Sequence, residues 1–335
     1  MILNITFSKR YLVLITLFTI ITYLSVPSLH AQTQECQVVS TFSIVARDPE
    51  TGELGIAVAS RFFSVGSVVP WAKANIGAVA TQSFANTTFG WRGLELLEKG
   101  SNPEEVIEIL LKDDDNPTRR QVGIVSSDGK SFTYTGSECL PWAGGRSGLN
   151  YAIQGNILAG ESVVTSMEKT FLETTGTLAE RLYAALLAGE EAGGDARGKQ
   201  SAALLVVKEN AGYGGYTDRA IDIRVDDHPE PFIELGRLLE FAKMNYSWNE
   251  AWTLFTQNKF NEALPHMERT AKLAPENPEV LYDLAVIQLA AGKKKEALAS
   301  LAKAISLNPK LKKQASGDND LESIRNDPKF KELIE

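Results

Sequence analysis

The tightest constraint on folding lies in the last third of the chain, where small and helix-ending residues recur at a fixed interval. Ala251, Ala263 and Pro275 return as Ala285, Ala297 and Pro309, each 34 positions later, with Leu273 and Leu307 in the same register. A small residue where two helices cross, with a proline after the second helix, describes a repeated helical hairpin. One hairpin cannot bury its apolar face alone, so it must stack on its neighbour. The tail DNDLESIRNDPKFKELIE would add helix over the open end. Residues 246–335 are therefore expected to be all α, as two repeats and a capping helix.

This pattern resembles tetratricopeptide repeats. The resemblance implies a protein or peptide partner for the repeat domain. Self-association into a homo-oligomer is the simpler use of the same surface.

No comparable period runs through residues 37–227. Strand-like segments there are TFSIVA, LGIAVAS, IGAVATQ, QVGIVSS, SFTYTG, YAIQGN, SAALLVV and AIDIRV. Turn signals at Asp48-Pro49…Gly52 and Asp128-Gly129 predict hairpins, hence antiparallel pairing. Helix-like segments come in pairs: GWRGLELLEKG with NPEEVIEILLKDD, and ESVVTSMEKTFLETT with TLAERLYAALLAG. Asn102 reads as a cap before Pro103, and Gly189 as the end of the last of these helices. Several strands are apolar on both sides, so both sheet faces should be covered. The expected class is α+β: two stacked sheets between helix layers, a four-layer α-β-β-α sandwich, followed by the all-α repeats. DDHPEP leads through Pro229 and Pro231 into a linker helix over residues 228–245.

At the N-terminus, Lys9 and Arg10 precede the apolar run YLVLITLFTIITYLSV, and a short segment then ends at Ala31. A basic start, an apolar core and a small residue make a signal peptide over residues 1–31. The alternative is an uncleaved membrane anchor, the run being near the short limit of a span. Either places the rest outside the cytoplasm, periplasmic or secreted. Cys36 and Cys139 then sit where a disulfide can persist. Pairing them would stabilise by about 4–5 kcal/mol in the chain-entropy model. Two separate buried thiols is the competing reading. The net charge of −8, without a basic run carrying aromatics, speaks against a nucleic-acid partner.

Histidine decides much of the chemistry. The three histidines are His30 in the leader, His228 in the linker and His266 in the first repeat. Residues 37–227 contain none, which removes a Ser–His–Asp or Cys–His site and leaves zinc without its usual ligands. No phosphate-binding glycine loop follows a strand. No metal or cofactor is expected. A catalytic base would have to be a carboxylate, a lysine or an α-amine. A terminal Thr, Ser or Cys can use its own α-amine to take the proton from its hydroxyl or thiol.

Residues 41–240 resemble a bacterial family catalogued as domain of unknown function 1028. The resemblance is carried by TFSIVARDPETGELGIAVAS, VVPWAKANIGAVATQ, YTGSECLPWAGG, YAIQGNILAG, GGDARGKQSAALLVV, GGY and DIRVDDHP. That family is assigned to the Ntn-hydrolases, enzymes with an N-terminal nucleophile. The resemblance implies a sandwich fold and Thr41 as nucleophile toward a small amide or peptide bond. In the family's usual arrangement this Thr directly follows the initiator Met. Here QTQECQVVS intervenes after Ala31, so a cut between Ser40 and Thr41 would be required.

The other candidates each carry a plainer reading. In GGDARGKQS, the glycines could let backbone amides approach a ligand while Asp195 and Arg197, with Gln200 beside them, orient a carboxylate or amide. Otherwise this is a surface turn with an ion pair. Gln82 and Asn156 end apolar strands and could stabilise an oxyanion or merely cap strand ends. Ser60, ending the second strand, is a substrate-side candidate, and GYGGY reads as a glycine turn with packed tyrosines. Two functions follow: an exported amide hydrolase with an interaction module, or a non-catalytic envelope protein that binds a ligand or acts as a scaffold.

Overall fold

The structure, a computed structural model, describes residues 41–335; the expected signal peptide and Cys36 lie outside the described residues. Ten strands and ten α-helices occur among the described residues. Strands β1 (Thr41–Arg47), β2 (Leu54–Ser60), β8 (Tyr151–Asn156), β9 (Ser201–Val207), β10 (Arg219–Val225) and β7 (Gly144–Gly148) form one sheet in the order β10-β9-β2-β1-β8-β7. Strands β3 (Pro70–Lys73), β4 (Gly77–Ser83), β5 (Arg120–Ser126) and β6 (Ser131–Thr135) form a second in the order β3-β4-β5-β6. Neighbours in both sheets pair antiparallel. The predicted hairpins appear as β1–β2 and β5–β6. The sequence reading missed β3 and β7. PWAK and GGRSG lack a β-branched apolar run, and both lie at sheet edges where less of a strand needs burial.

Side-chain alternation along β1 sends Phe42, Ile44 and Ala46 to one face and Val45 to the other. On the inner side, Val45, Ile56, Val58 and Ala152 meet Ala78, Ala80 and Val125 of the second sheet in one apolar cluster. On the outer side of the first sheet, Phe42, Ile44, Ile153 and Leu204 pack on α3 (Glu161–Glu173) and α4 (Leu178–Glu191) through Val164, Met167, Leu182 and Leu186. The second sheet's Val79, Val122 and Ile124 pack on α1 (Thr88–Glu98) and α2 (Pro103–Lys112). Helix α2 starts as predicted, with Asn102 accepting from the Glu104 and Glu105 amides and Glu105 returning a contact to the Asn102 amide. Gly189 does not end α4, which continues to Glu191. It is instead a packing glycine: a Cβ there would stand 2.8 Å from Met167 Cγ and 3.1 Å from Phe42 Cε2.

A single helix, α5 (Pro231–Thr256), begins against the first sheet through Phe232, Leu235 and Leu239 and continues into the repeats through Ala251. It passes through the expected linker boundary at residues 245 and 246 without a break. Helices α6 (Phe260–Leu273), α7 (Pro278–Ala290) and α8 (Lys294–Leu307) complete the repeats. Ala251 and Ala263 are fully buried where α5 and α6 cross, and Ala285 and Ala297 repeat this between α7 and α8. Helices α9 (Leu311–Gly317) and α10 (Pro328–Ile334), with a 3-10 turn between them, cover the end through Leu321, Ile324 and Phe330. The described chain is thus a mixed α/β region with antiparallel sheets followed by an all-helical one.

Candidate functional site

The inner faces of the two sheets are not apolar throughout. At the end where β1 begins, alternation brings Thr41 and Ser43 inward, with Gln154 and Asn156 from β8, Gln82 from β4 and Gln121 from β5, all of them fully buried. Burying amides in this way is tolerable only when their donors and acceptors find partners. Most find them in each other or in backbone carbonyls. Ser43 Oγ donates to Gln82 Oε1 at 2.6 Å and accepts from Gln154 Nε2 at 2.6 Å. Gln121 Oε1 accepts from Gln82 Nε2 at 2.9 Å and from Asn156 Nδ2 at 2.8 Å, while Gln121 Nε2 donates to Gly155 O at 2.7 Å. Gln82 Nε2 also lies 3.2 Å from Thr41 O and 3.3 Å from Gln154 O. The result is a buried amide network that ties the first residue of β1 to both sheets.

Register gathers further candidates around Thr41. Its Cα partner on β8 is Asn156. On the other side Phe42 pairs with Ala59, which sets Ser60 beside Thr41 at the end of β2. After Asn156 the chain turns through Ile157 in the left-handed region at φ 52°, a costly conformation for a β-branched residue, about 1–3 kcal/mol. The turn is held because Ile157 N donates to Leu140 O and Ala196 N donates to Ile157 O. Leu158 then bridges Asp195.

Asp195 is buried, and its carboxylate is well supplied with donors. Oδ2 accepts from the Arg61 amide at 2.9 Å, and Oδ1 from the Arg197 amide at 2.9 Å. The Arg197 guanidinium adds Nε and Nη2 at 3.1 and 2.9 Å. Asp195 therefore fastens the glycine-rich loop to the residue just after Ser60. Gly193, Gly194 and Gly198 all take positive φ here, which gives the glycines of GGDARG a conformational reason.

The structure thus brings Thr41, Ser60, Gln82 and Asn156 to one end of the sheets, with the Asp195–Arg197 pair across the strand ends. Gln200 is different: its backbone amide donates to Ser60 O, but its side chain turns to Asp227 at 3.1 Å. Cys139 is buried with Sγ 3.4 Å from Arg120 O, and burial pushes its thiol pKa up. The reading that pairs it with Cys36 reaches outside the described residues. His228 Nδ1 accepts from the Glu230 amide, and His266 contacts Glu250; neither belongs to the Thr41 cluster. Among the described residues no group of three or more His, Cys, Asp or Glu side chains could hold a metal ion. Gln121 and Ser43 were missed as site residues. Their signal was a polar residue at an inward position of strands otherwise apolar on both faces.

The family model for a family of unknown function, DUF1028, matches residues 41–235, and one for tetratricopeptide repeats matches residues 254–315. The chain belongs to the DUF1028 family and carries tetratricopeptide repeats after it. It is similar to a crystal structure of a protein from Silicibacter pomeroyi assigned to the same family. That structure is 33% identical with a TM-score of 0.56, the match covering 61% of this chain and 89% of that one. No curated protein matches the chain.

Proposed function

We propose that residues 41–227 form an Ntn-hydrolase-type four-layer sandwich in an exported protein, and that Thr41 is its nucleophile toward a small amide or peptide bond. The observation that carries this reading is the position of Thr41: head of β1, inward-facing, opposite Asn156, with its carbonyl held by Gln82. A cut between Ser40 and Thr41 would turn the Thr41 amide nitrogen into an α-amine. That amine accepts the Oγ1 proton as Oγ1 bonds to the substrate carbonyl carbon. The tetrahedral oxyanion collapses, the C–N bond breaks, and the leaving amine carries the proton away. Water then hydrolyses the ester. Asn156, registered opposite Thr41, is the oxyanion donor through the second hydrogen of its amide, the first going to Gln121 Oε1. Gln82 is a positioning residue, since its amide already serves Thr41 O, Gln121 and Gln154. Asp195 and Arg197, with Ser60, shape the substrate side. The repeats bind a protein or peptide partner.

The test pairs a mass measurement of the mature secreted protein with turnover of an amide and dipeptide panel. The expected result is a chain starting at Thr41 whose hydrolysis is lost in Thr41→Ala. A fully active chain starting at Gln32 would overturn the assignment.

One observation favours a non-catalytic envelope protein instead. Thr41 is 0% exposed, and its nitrogen is joined to Ser40 in the unprocessed chain. In that reading the amide network only holds the sheets together. Absence of the Ser40–Thr41 cut, together with no turnover across the panel, selects it.

A further inference from the structure

A cavity of about 1040 Å³ lies away from Thr41, beside the edge strand β10. Its walls are β10, the glycine turn Gly212–Tyr216, α5 from Leu238 to Thr256, and Asp283 of α7. Asn249 of α5 stitches the glycine turn in place, donating to Gly212 O at 2.8 Å and accepting from the Gly214 amide at 2.9 Å. Gly214 and Gly215 take φ of 64° and 77°, so the turn needs glycine there. Tyr213 and Tyr216 stand out at the rim, 88% and 89% exposed, and Phe241, Trp248 and Trp252 continue the aromatic lining inward.

Asp283 has an unusual environment. Its Oδ2 accepts the indole N–H of Trp248 at 2.8 Å and of Trp252 at 2.7 Å. Burial raises its carboxyl pKa despite those donors, and the nearby charges, Glu279 and Asp318, are like-signed. Asp222 on the facing wall is already compensated by Arg219 and Arg224. Asp283 is therefore a partly desolvated anion with no cationic partner among the described residues, at the base of an aromatic-lined cavity. An uncompensated anion among aromatic faces selects a cation.

We propose that this cavity receives a lysine side chain from an extended segment of another polypeptide, its ammonium against Asp283 Oδ1 and its alkyl stem along the aromatic wall. Lysine fits better than arginine because the indoles already occupy Oδ2. A point charge can use the remaining oxygen, whereas a guanidinium fork needs both. An extended segment fits because β10 ends the strand order, leaving one side of its backbone without a strand partner among the described residues. The proposal is independent of the Thr41 chemistry.

The test is a tryptophan-fluorescence titration of the full chain with tetra-lysine, its side-chain-acetylated form and n-butylamine at about 0.3 M salt, where diffuse attraction to the net charge is screened. Saturable binding of tetra-lysine is expected, weakened about tenfold or more in Asp283→Asn and by acetylation. Asp283→Asn keeps an acceptor for both indoles, and Tyr213→Ala, a change at an exposed site, gives a second reading with about threefold weakening. Equal binding by wild type and Asp283→Asn, or by the acetylated probe, overturns the proposal. So does the absence of saturable binding, and n-butylamine binding as tightly as tetra-lysine overturns the extended-segment assignment.

Discussion

The Thr41 end of the sheets and the cavity beside β10 are both polar regions set in apolar surroundings, and they treat polarity in opposite ways. Around Thr41 the amides of Gln82, Gln121, Gln154 and Asn156 bond to one another and to backbone, and all are fully buried. In the cavity, Asp283 has two donors on one oxygen and no countercharge among the described residues. The first region has spent most of its hydrogen bonds on its own architecture, and in the function proposed above Thr41 acts only after the Ser40–Thr41 cut. The second has an electrostatic demand that an outside group can meet. Buried networks rigidify as their bonds are met, while an unmet charge is a cost that binding can relieve.

The largest expected effect is on the closed region. Gln82→Leu removes the acceptor for Ser43 Oγ and the donor to Gln121 Oε1, Thr41 O and Gln154 O at once. Unfolding in urea should show a loss of about 3–5 kcal/mol, from several buried groups left unmet. A loss below about 1 kcal/mol would show that the network does not hold the sheets. Next, Gly189→Ala pushes a methyl toward Met167 and Phe42, the neighbour of Thr41. A loss of about 1–3 kcal/mol is expected by overpacking, and the same urea assay reads it.

A smaller effect concerns the helix that walls the open region. Lys243 of α5 pairs with Glu180 of α4 at 2.7 Å. Burial works to raise the Glu180 carboxyl, but Lys243 and the Thr177 cap outweigh it and hold the pKa at about 2 instead of 4.5. The folded-state value is the lower one, so this contribution is present above pH 4.5 and lost as pH falls toward 2. The pair is partly exposed, which limits it to about 1 kcal/mol or less. Glu180→Gln should therefore separate from wild type in urea midpoint at pH 6 and converge with it near pH 2; a gap unchanged across that range would refute the pairing. The smallest effect sharpens the contrast: Tyr213→Ala should leave stability within about 0.5 kcal/mol, because an exposed rim residue contributes little to folding. A larger loss would mean that the cavity wall is part of the core.

Some of this was legible in the chain and some was not. The apolar runs TFSIVA, LGIAVAS and YAIQGN were enough to set strands, and Asn102-Pro103 enough to start α2 at its observed residue. The amide network was only half legible: Gln82 and Asn156 stood out as strand-end amides, whereas Gln121 follows Arg120 in a segment that reads as ordinary strand. Gly189 was misplaced because a glycine near the end of an apolar helix looks the same as a cap. Only Phe42 and Met167, from other elements, reveal it as a contact point.

By itself the sequence determined the local terms: strand-like and helix-like segments, the repeat register of Ala251 with Ala285, and a histidine-free α/β region that restricts any catalysis there to other bases. These depend on neighbours a few positions away or on composition. Only the tertiary structure decided that Gln82, Gln121, Gln154 and Asn156 meet beneath Thr41. It also decided that GYGGY, β10 and Asp283 close around one cavity. Those groupings join residues far apart in sequence, and their partners are set by sheet order and helix packing, which no local pattern encodes.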